Sequence, residues 1–229
     1  MFSENIRNKL TKNGVRFWAG DNIADHLSEN DIENIIKEAT IAFESVLDAL
    51  VIDRINDPNS QGTAKRLAKM YVNEIMSGRY FERPDVASFP NYGDGAYKGM
   101  LVVRSEIKSV CSHHHQPVTG VAYIGIIPSE RVIGLSKYTR IAQWCARRGT
   151  LQEELCNDIA REIRCATESD SVAVHIGAEH GCCVNRGIMA HSSMTQTTVL
   201  FGEFNNGDVK KEFFDNIAMQ MQASGKGPY

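Results

Sequence analysis

The chain has 229 residues, of which 42% are hydrophobic and 23% are charged, and this composition indicates an ordinary globular protein with a substantial core. Its formal net charge of −3 excludes a general attraction to nucleic acid or to anionic membranes, so an anionic ligand requires a local basic cluster. No stretch approaches the roughly 18 apolar residues of a membrane span, so no membrane partner is expected.

The N-terminal stretch "MFSENIRNKLTKNG" is polar and lacks the apolar core of a secretory signal. This predicts a cytoplasmic protein, and the cytosol keeps thiols reduced. The six cysteines are therefore expected to be buried thiols or metal ligands rather than disulfides.

The first part of the chain has helical periodicity. In residues 31–50, apolar side chains recur at helical spacing, which predicts an amphipathic helix. A turn rich in Pro and Gly follows, and Thr63 is the expected N-cap of a second helix that ends near Gly78. Residues 79–98 are typical of a loop. We therefore expect residues 1–98 to form an N-terminal helical part with a loop.

After this loop the pattern changes to β-rich runs, which are "MLVVRSEIKSV", "GVAYIGIIP", "SVAVHIGAEHGCCV" and "QTTVLFGEF". Helices are expected at about 136–148, 151–166 and 208–222. The order predicts an α+β unit over residues 99–229, with an antiparallel sheet that carries its helices on one face. The two parts are expected to form one integrated domain.

The stretch "SVCSHHHQPVTG" concentrates potential metal ligands, because Cys111 is followed by His113, His114 and His115. Thiolate and imidazole together suit zinc, and a catalytic zinc usually has three protein ligands with a fourth position open to water. A histidine-rich turn can equally be a solvated surface cluster. From the residues alone, each of the three histidines is a candidate ligand.

A second source of ligands is "GAEHGCCVNRG". His180 and Cys182 are two positions apart in an expected strand, so they should face the same side, with Cys183 on the other. The alternative is that the two cysteines are buried packing residues. Together the two stretches favour a composite zinc site.

Basic residues indicate an anion site near the start of a helix in "GLSKYTR". Ser136 is a plausible N-cap, with Lys137 in the first turn and Arg140 one turn later, where free N–H groups favour anions. Arg186 follows Cys182 closely, and Arg66 lies in an earlier helix. The alternative is that these are ordinary surface charges.

Glu153 has two interpretations. In "TLQE", Thr150 and Glu153 have the spacing of a capping box, which is a sufficient structural reason for this glutamate. A carboxylate there could also accept hydrogen bonds from the N1–H and the 2-amino group of a guanine.

Six motifs together resemble the GTP cyclohydrolase I family, zinc enzymes that convert GTP to 7,8-dihydroneopterin triphosphate. In chain order they are "GTAKRLAKMYVNEIMSG", "SVCSHHHQPVTG", "VIGLSKYTRIAQWCARR", "LQEEL", "VAVHIGAEHGCCVNRGI" and "SSMTQTTVLFGEF". They cover about residues 62–222. The resemblance implies the tunnelling (T) fold, GTP as the substrate, Zn²⁺ as the cofactor, and a toroidal homodecamer with sites between subunits.

The resemblance also implies residue roles. The implied zinc ligands are Cys111, His114 and Cys182. The implied proton-transfer residues are His113 and His180, with Ser136 as a proton shuttle at the ribose stage. The residues implied to hold or orient the triphosphate and ribose are Ser136, Lys137, Arg140, Arg186 and Arg66, the last of these from a neighbouring subunit. Gln152 and Glu153 are implied to bind the guanine.

The chain departs from the family pattern beside the implied zinc ligands. Ser112 stands where the family usually has Glu, and His115 where it usually has an apolar residue. His115 is expected to be a spectator, and Cys183 is an additional candidate ligand.

Two alternatives to this function remain. One is another T-fold enzyme such as 6-carboxytetrahydropterin synthase, whose histidine-only ligands differ from the cysteine pair here. The other is a catalytically silent zinc or nucleotide-binding protein.

Overall fold

The computed structural model describes residues 1–223, and the chain divides into two compact units, Met1–Glu82 and Arg83–Tyr229. The segment after Glu82, which the sequence predicts to be a loop up to residue 98, contains a short strand that pairs within the second unit. Residues 224–229 of the expected catalytic unit lie outside the described residues. Among residues 1–223, no helix combines the length and the apolar character that a bilayer span requires.

The first unit is helical. Its elements are α1 (Phe2–Lys12), a 3-10 turn (Ala24–His26), α2 (Glu29–Ala49), α3 (Thr63–Met70), a π-helical turn (Tyr71–Ile75) and α4 (Ser77–Tyr80).

Helix α2 begins where a capping box forms, since the Ser28 hydroxyl accepts from the Asp31 N–H and the Asp31 carboxylate accepts from the Ser28 N–H. The expected N-cap Thr63 is instead the first residue of α3. Gly62 is the cap, in a left-handed conformation (φ 71°) that glycine adopts without strain.

The second unit is built on a four-stranded antiparallel sheet, as the β-rich runs predict. Its strands are β2 (Leu101–Val110), β3 (Pro117–Ile126), β5 (Val172–His180) and β6 (Thr195–Leu200), hydrogen-bonded in the order β2-β3-β5-β6. A small second sheet pairs β1 (Ser88–Pro90) with β4 (Arg131–Ile133).

Two helices cover one face of the main sheet. These are α5 (Leu135–Ala146) and α6 (Gln152–Thr167), whose buried Tyr138, Ile141, Ile159 and Ile163 pack against alternate residues of the strands. Ala122 and Ile124 in β3, and Val174 and Ile176 in β5, point to this side.

The sequence predicts helices on one face of the sheet only, but the opposite face is also covered by a helix. Helix α8 (Gly207–Ala223) and the preceding 3-10 turn (Gly202–Asn205) bring Phe213 and Phe204 against Val121, Tyr123 and Ala173. The sheet is therefore buried on both sides at β3 and β5, which explains the nearly continuous apolar runs in these strands.

Candidate functional site

Cys111 lies at the end of β2, in the turn that leads to β3. Its side chain is buried, its N–H donates to the carbonyl of Gln116 (2.9 Å), and its carbonyl accepts from the N–H of His115 (2.8 Å). His115 closes this turn in the left-handed region, with φ at 51°. The backbone thus fixes the cysteine, while His113 and His114 are exposed on the turn.

The second motif lies beside this turn because of the register between β3 and β5. Val118 pairs with His180, so the end of β5 meets the start of β3. The expectation that the strand continues through both cysteines is wrong: β5 ends at His180, and Gly181–Val184 forms a helical turn, α7. A Cβ at Gly181 would lie only 2.9 Å from the carbonyl oxygen of Pro117, so this close approach favours glycine.

The helical turn changes where Cys183 points. In a strand it would face away from Cys182, but in the turn the two sulfur atoms lie 4.0 Å apart. Both side chains are partly buried. Cys183 therefore belongs to the same surface as Cys182, which strand alternation does not predict.

The thiols of Cys111 and Cys182, distant in sequence, lie close enough in the structure for one to influence the ionisation of the other. The pKa of Cys182 is raised to about 11, first by burial, then by its hydrogen bond with Cys183, and then by the charge of Cys111. Neighbouring sulfurs disfavour each other's thiolate form, and a divalent cation between them reverses this preference. A pair of this kind suits a thiophilic metal ion.

The expected imidazole ligand, His114, does not join the two sulfurs in a three-ligand site. The rings of His113 and His114 lie 6.4 Å apart and nearly perpendicular, on the exposed turn. Within residues 1–223, no three His, Cys, Asp or Glu side chains are close enough together to hold a metal ion. The donor types nevertheless fit zinc, because two thiols meet at the base of a turn that carries three imidazoles.

His180, two residues before Cys182, is held by a hydrogen bond to the helix that covers the sheet. Its Nε2 lies 2.7 Å from Oε1 of Gln152, the first residue of α6. Burial lowers the pKa of His180, and the negative charge of nearby Glu153 raises it in part. The start of α6 therefore contacts the end of β5 at this point.

The capping-box interpretation of Glu153 is wrong. The N-cap of α6 is Leu151, so Glu153 occupies the second helical position, and Thr150 donates to Glu154 instead (3.0 Å). The Glu153 side chain is exposed, and its carboxylate makes no hydrogen bond or ion pair within residues 1–223. It is thus available to a ligand.

The sequence predicts Ser136 as the N-cap of α5, but the helix already begins at Leu135. Gly134 is the N-cap, so Ser136 lies inside the first turn rather than capping it. The first turn contains no acidic residue, and Lys137 donates from Nζ to the carbonyl of Asp85 (2.8 Å). Ser136 and Arg140 are exposed, so this helix start can receive an anion.

The two remaining arginines lie in different units. Arg186 is exposed just after α7. Arg66 lies in the first unit, where its guanidinium donates to the carbonyls of Gln61 (3.0 Å) and Asn59 (3.2 Å) and to the hydroxyl of Thr63 (2.7 Å).

Sequence reasoning missed the role of β6 in this region. The carbonyl of Thr195 and the hydroxyl of Thr197 both accept from the amide of Gln152. The available signal is the polar run "TQTT" in a strand next to apolar β5, since a polar residue on a helix-covered face needs a buried partner.

Comparison with known proteins identifies the family. The sequence profile described as GTP cyclohydrolase I matches residues 39–218, which include every candidate site residue. A GTP cyclohydrolase 1 from Flavobacterium johnsoniae is 35% identical over 96% of this chain and 93% of its own.

The chain belongs to the GTP cyclohydrolase I family.

Two further relatives agree with this membership. The GTP cyclohydrolase 1 of Vibrio cholerae is 32% identical over 93% of this chain and 95% of its own, and that of Aeromonas hydrophila is 38% identical over 76% and 80%. The α+β fold is that of GTP cyclohydrolase I, and the chain is an enzyme of this type. The resemblance to this family, rather than to 6-carboxytetrahydropterin synthase, is confirmed.

Proposed function

We propose that this enzyme hydrolyses GTP at C8 of the guanine, releases formate and forms 7,8-dihydroneopterin triphosphate with the help of zinc. The observation that carries the proposal is the meeting of Cys111 and Cys182 beside a turn of three histidines, within a chain of the GTP cyclohydrolase I family. This arrangement offers the donor types of a catalytic zinc.

Cys111, Cys182 and His114 would hold the ion. A zinc ion bound there supplies Lewis acidity, which makes water a nucleophile near neutral pH. Ligation of His114 requires a change of the exposed turn, because its ring does not reach the sulfurs in the present arrangement.

His113 and His180 supply the protons. Addition of water at C8 needs simultaneous protonation of N7, and imidazole is the side chain whose pKa lies nearest to working pH. His180 is held beside the cysteines by Gln152, which supports this role. Ser136 moves a proton at the ribose stage, when the sugar rearranges before the pterin ring closes.

Glu153 binds the guanine directly, and Gln152, the other residue of the implied guanine pair, lies next to it with its amide turned into the sheet. The carboxylate of Glu153 accepts from N1–H and the 2-amino group, a pair of donors that only guanine among the common bases presents in this order. Its exposure and its lack of a cap role support the assignment, and charge-assisted hydrogen bonds of this kind are strong.

The triphosphate is held by Lys137, Arg140 and Arg186, with Arg66 from a neighbouring subunit. An acidic protein needs such a local cluster to bind a polyanion. The start of α5 adds free N–H groups and the positive end of a helix dipole.

The assembly is a toroidal homodecamer, and the enzyme acts in the cytoplasm without a nucleic-acid or membrane partner. The six cysteines are free thiols, which supports a reducing compartment. The product would enter folate, biopterin or 7-deazaguanine synthesis.

Purified protein incubated with GTP tests the proposal when zinc content, formate and pterin are measured together. Oxidised pterin is fluorescent, so its formation is followed directly. We expect stoichiometric zinc, with formate and pterin formed in equal amounts. A protein that holds zinc but yields neither product would be the silent binding protein instead.

A further inference from the structure

The side chain of Gln152 is almost fully buried, with 3% of its surface exposed, and it contacts four partners. Its Nε2 lies 3.1 Å from the carbonyl oxygen of Ile176 and 3.0 Å from that of Thr195. The hydroxyl of Thr197 is 3.2 Å from the same nitrogen. Its Oε1 lies 2.7 Å from Nε2 of His180. The amide thus links α6 to β5, β6 and the histidine.

These partners determine which way the amide faces. Backbone carbonyls can only accept hydrogen bonds, so the NH₂ group must point to Ile176 and Thr195. The amide oxygen therefore faces His180. Because an amide oxygen can only accept, Nε2 of His180 must carry the hydrogen.

We propose that Gln152 is a positioning residue that fixes the ring orientation of His180 and keeps its hydrogen on Nε2. The neutral ring then presents the lone pair of Nδ1, which takes up a proton to give the imidazolium and passes that proton to the substrate from the same nitrogen. Nδ1 makes no hydrogen bond of its own within the described residues 1–223. This inference rests on the proposed function, in which His180 transfers protons.

The proposal gives the first turn of α6 two distinct tasks. Gln152 points inward, and its donors are occupied by the sheet. Glu153, the next residue, is exposed, and its carboxylate makes no hydrogen bond or ion pair among residues 1–223. Recognition of the guanine therefore depends mainly on Glu153, while Gln152 acts through His180.

The first test examines the histidine rings of the wild-type protein by solid-state NMR with ¹⁵N in the rings. The spectrum is recorded at a pH where the ring is neutral, and His180 is assigned by the loss of its signals in His180→Gln. We expect a protonated Nε2 and an unprotonated Nδ1, with the Nε2 hydrogen slow to exchange with D₂O. A protonated Nδ1 in the wild type overturns the proposal without any variant.

The second test compares Gln152→Met with Gln220→Met. Methionine is similar in length but has no amide, and Gln220 donates one hydrogen bond to the carbonyl of Val102 (3.0 Å) on the opposite face of the sheet. In Gln152→Met we expect fast exchange of the His180 Nε2 hydrogen and a roughly 10- to 100-fold lower kcat, with KM for GTP unchanged. Gln220→Met should keep the slow exchange and the wild-type kcat.

A raised KM with an intact kcat in Gln152→Met would mean that Gln152 binds the guanine and does not position His180. If Gln152→Met fails to fold, Thr197→Val removes one anchor of the amide and should give a smaller fall in kcat, with faster exchange. An unchanged kcat and exchange rate in that variant contradict the proposal. A wild-type protein with the expected NMR signature but no GTP turnover would refute the proposed function and leave the tautomer assignment standing.

Discussion

The sulfur atoms of Cys182 and Cys183 lie 4.0 Å apart, because a helical turn replaces the end of strand β5 at Gly181. Two adjacent residues therefore offer thiols to the same surface, and the thiol of Cys182 also interacts with that of Cys111. Substituting the two cysteines one at a time separates their roles.

We expect Cys182→Ser to lose its zinc and Cys183→Ser to retain it. Serine removes the thiolate with little change in volume, and a two-sulfur zinc site loses most of its affinity with one sulfur. Metal content of the purified variants, measured by mass spectrometry, decides the assignment. If Cys183→Ser lost its zinc and Cys182→Ser kept it, Cys183 rather than Cys182 would be the ligand.

The histidines of the turn should also differ. His114→Ala is expected to lose zinc together with activity. His113→Ala should keep its zinc while kcat falls roughly 10²- to 10⁴-fold, which is typical for loss of a general acid. Zinc quantification and GTP turnover on the same samples check both. Equal zinc loss in the two variants would overturn the assignment, and zinc loss from His115→Ala would identify His115 as the ligand.

Glu153→Gln should weaken the recognition of guanine. The amide presents its own N–H donors to the donors of the base, and a hydrogen bond to a charged group is worth about 1.5–3 kcal/mol. We expect KM for GTP to rise roughly 10- to 100-fold. Glu154→Gln is the matched control, since this carboxylate accepts from Thr150 and should affect stability but not KM. Similar KM values for both variants would rule out the assignment.

His175 should make the stability of the second unit depend on pH. Its ring is 7% exposed, lies between Tyr123 and Phe214, and contacts the hydroxyl of Thr198 (2.8 Å). Burial lowers the pKa of His175, so the unfolded chain binds this proton more tightly than the folded one. The free energy of unfolding is therefore highest above the unfolded pKa of about 6.5 and falls as the pH drops below it.

The check compares urea unfolding of the wild type and His175→Asn at about pH 5.5 and about pH 7.5. Asparagine can keep the contact with Thr198 but does not titrate, so the variant should lose less stability on acidification. His191→Asn, at an exposed position, should behave like the wild type. An equal loss in wild type and His175→Asn would assign the acid sensitivity to other groups.

The long strands were predictable because burial on both faces leaves a strong apolar signal. Ile124 and Val174 face α5 and α6, while Tyr123 and Ala173 face α8. The strands β1 and β4 are not predictable from the sequence. Each has only three residues, which is too short to show an alternating pattern, and they are far apart in the chain. Helix α1 was missed because its mainly polar sequence buries few residues, with Leu10 and Ile6 packed against Ile23.

The details of the site were less predictable than its composition. Residue type and local spacing predict capping by Ser136 and Thr150, whereas Gly134 and Leu151 cap these helices in extended conformations. The end of β5 depends on the contact of Gly181 with Pro117, which is distant in sequence. The motifs and the family resemblance therefore identify the candidate residues, while tertiary contacts decide which of them meet.

The central claim is that Cys111 and Cys182 share one zinc ion, and X-ray absorption at the zinc edge of the purified protein tests it most directly. We expect two sulfur atoms at about 2.3 Å and lighter atoms at about 2.0–2.1 Å from zinc, with the same result for Cys183→Ser. A zinc shell that contains no sulfur, or only one, would contradict the account.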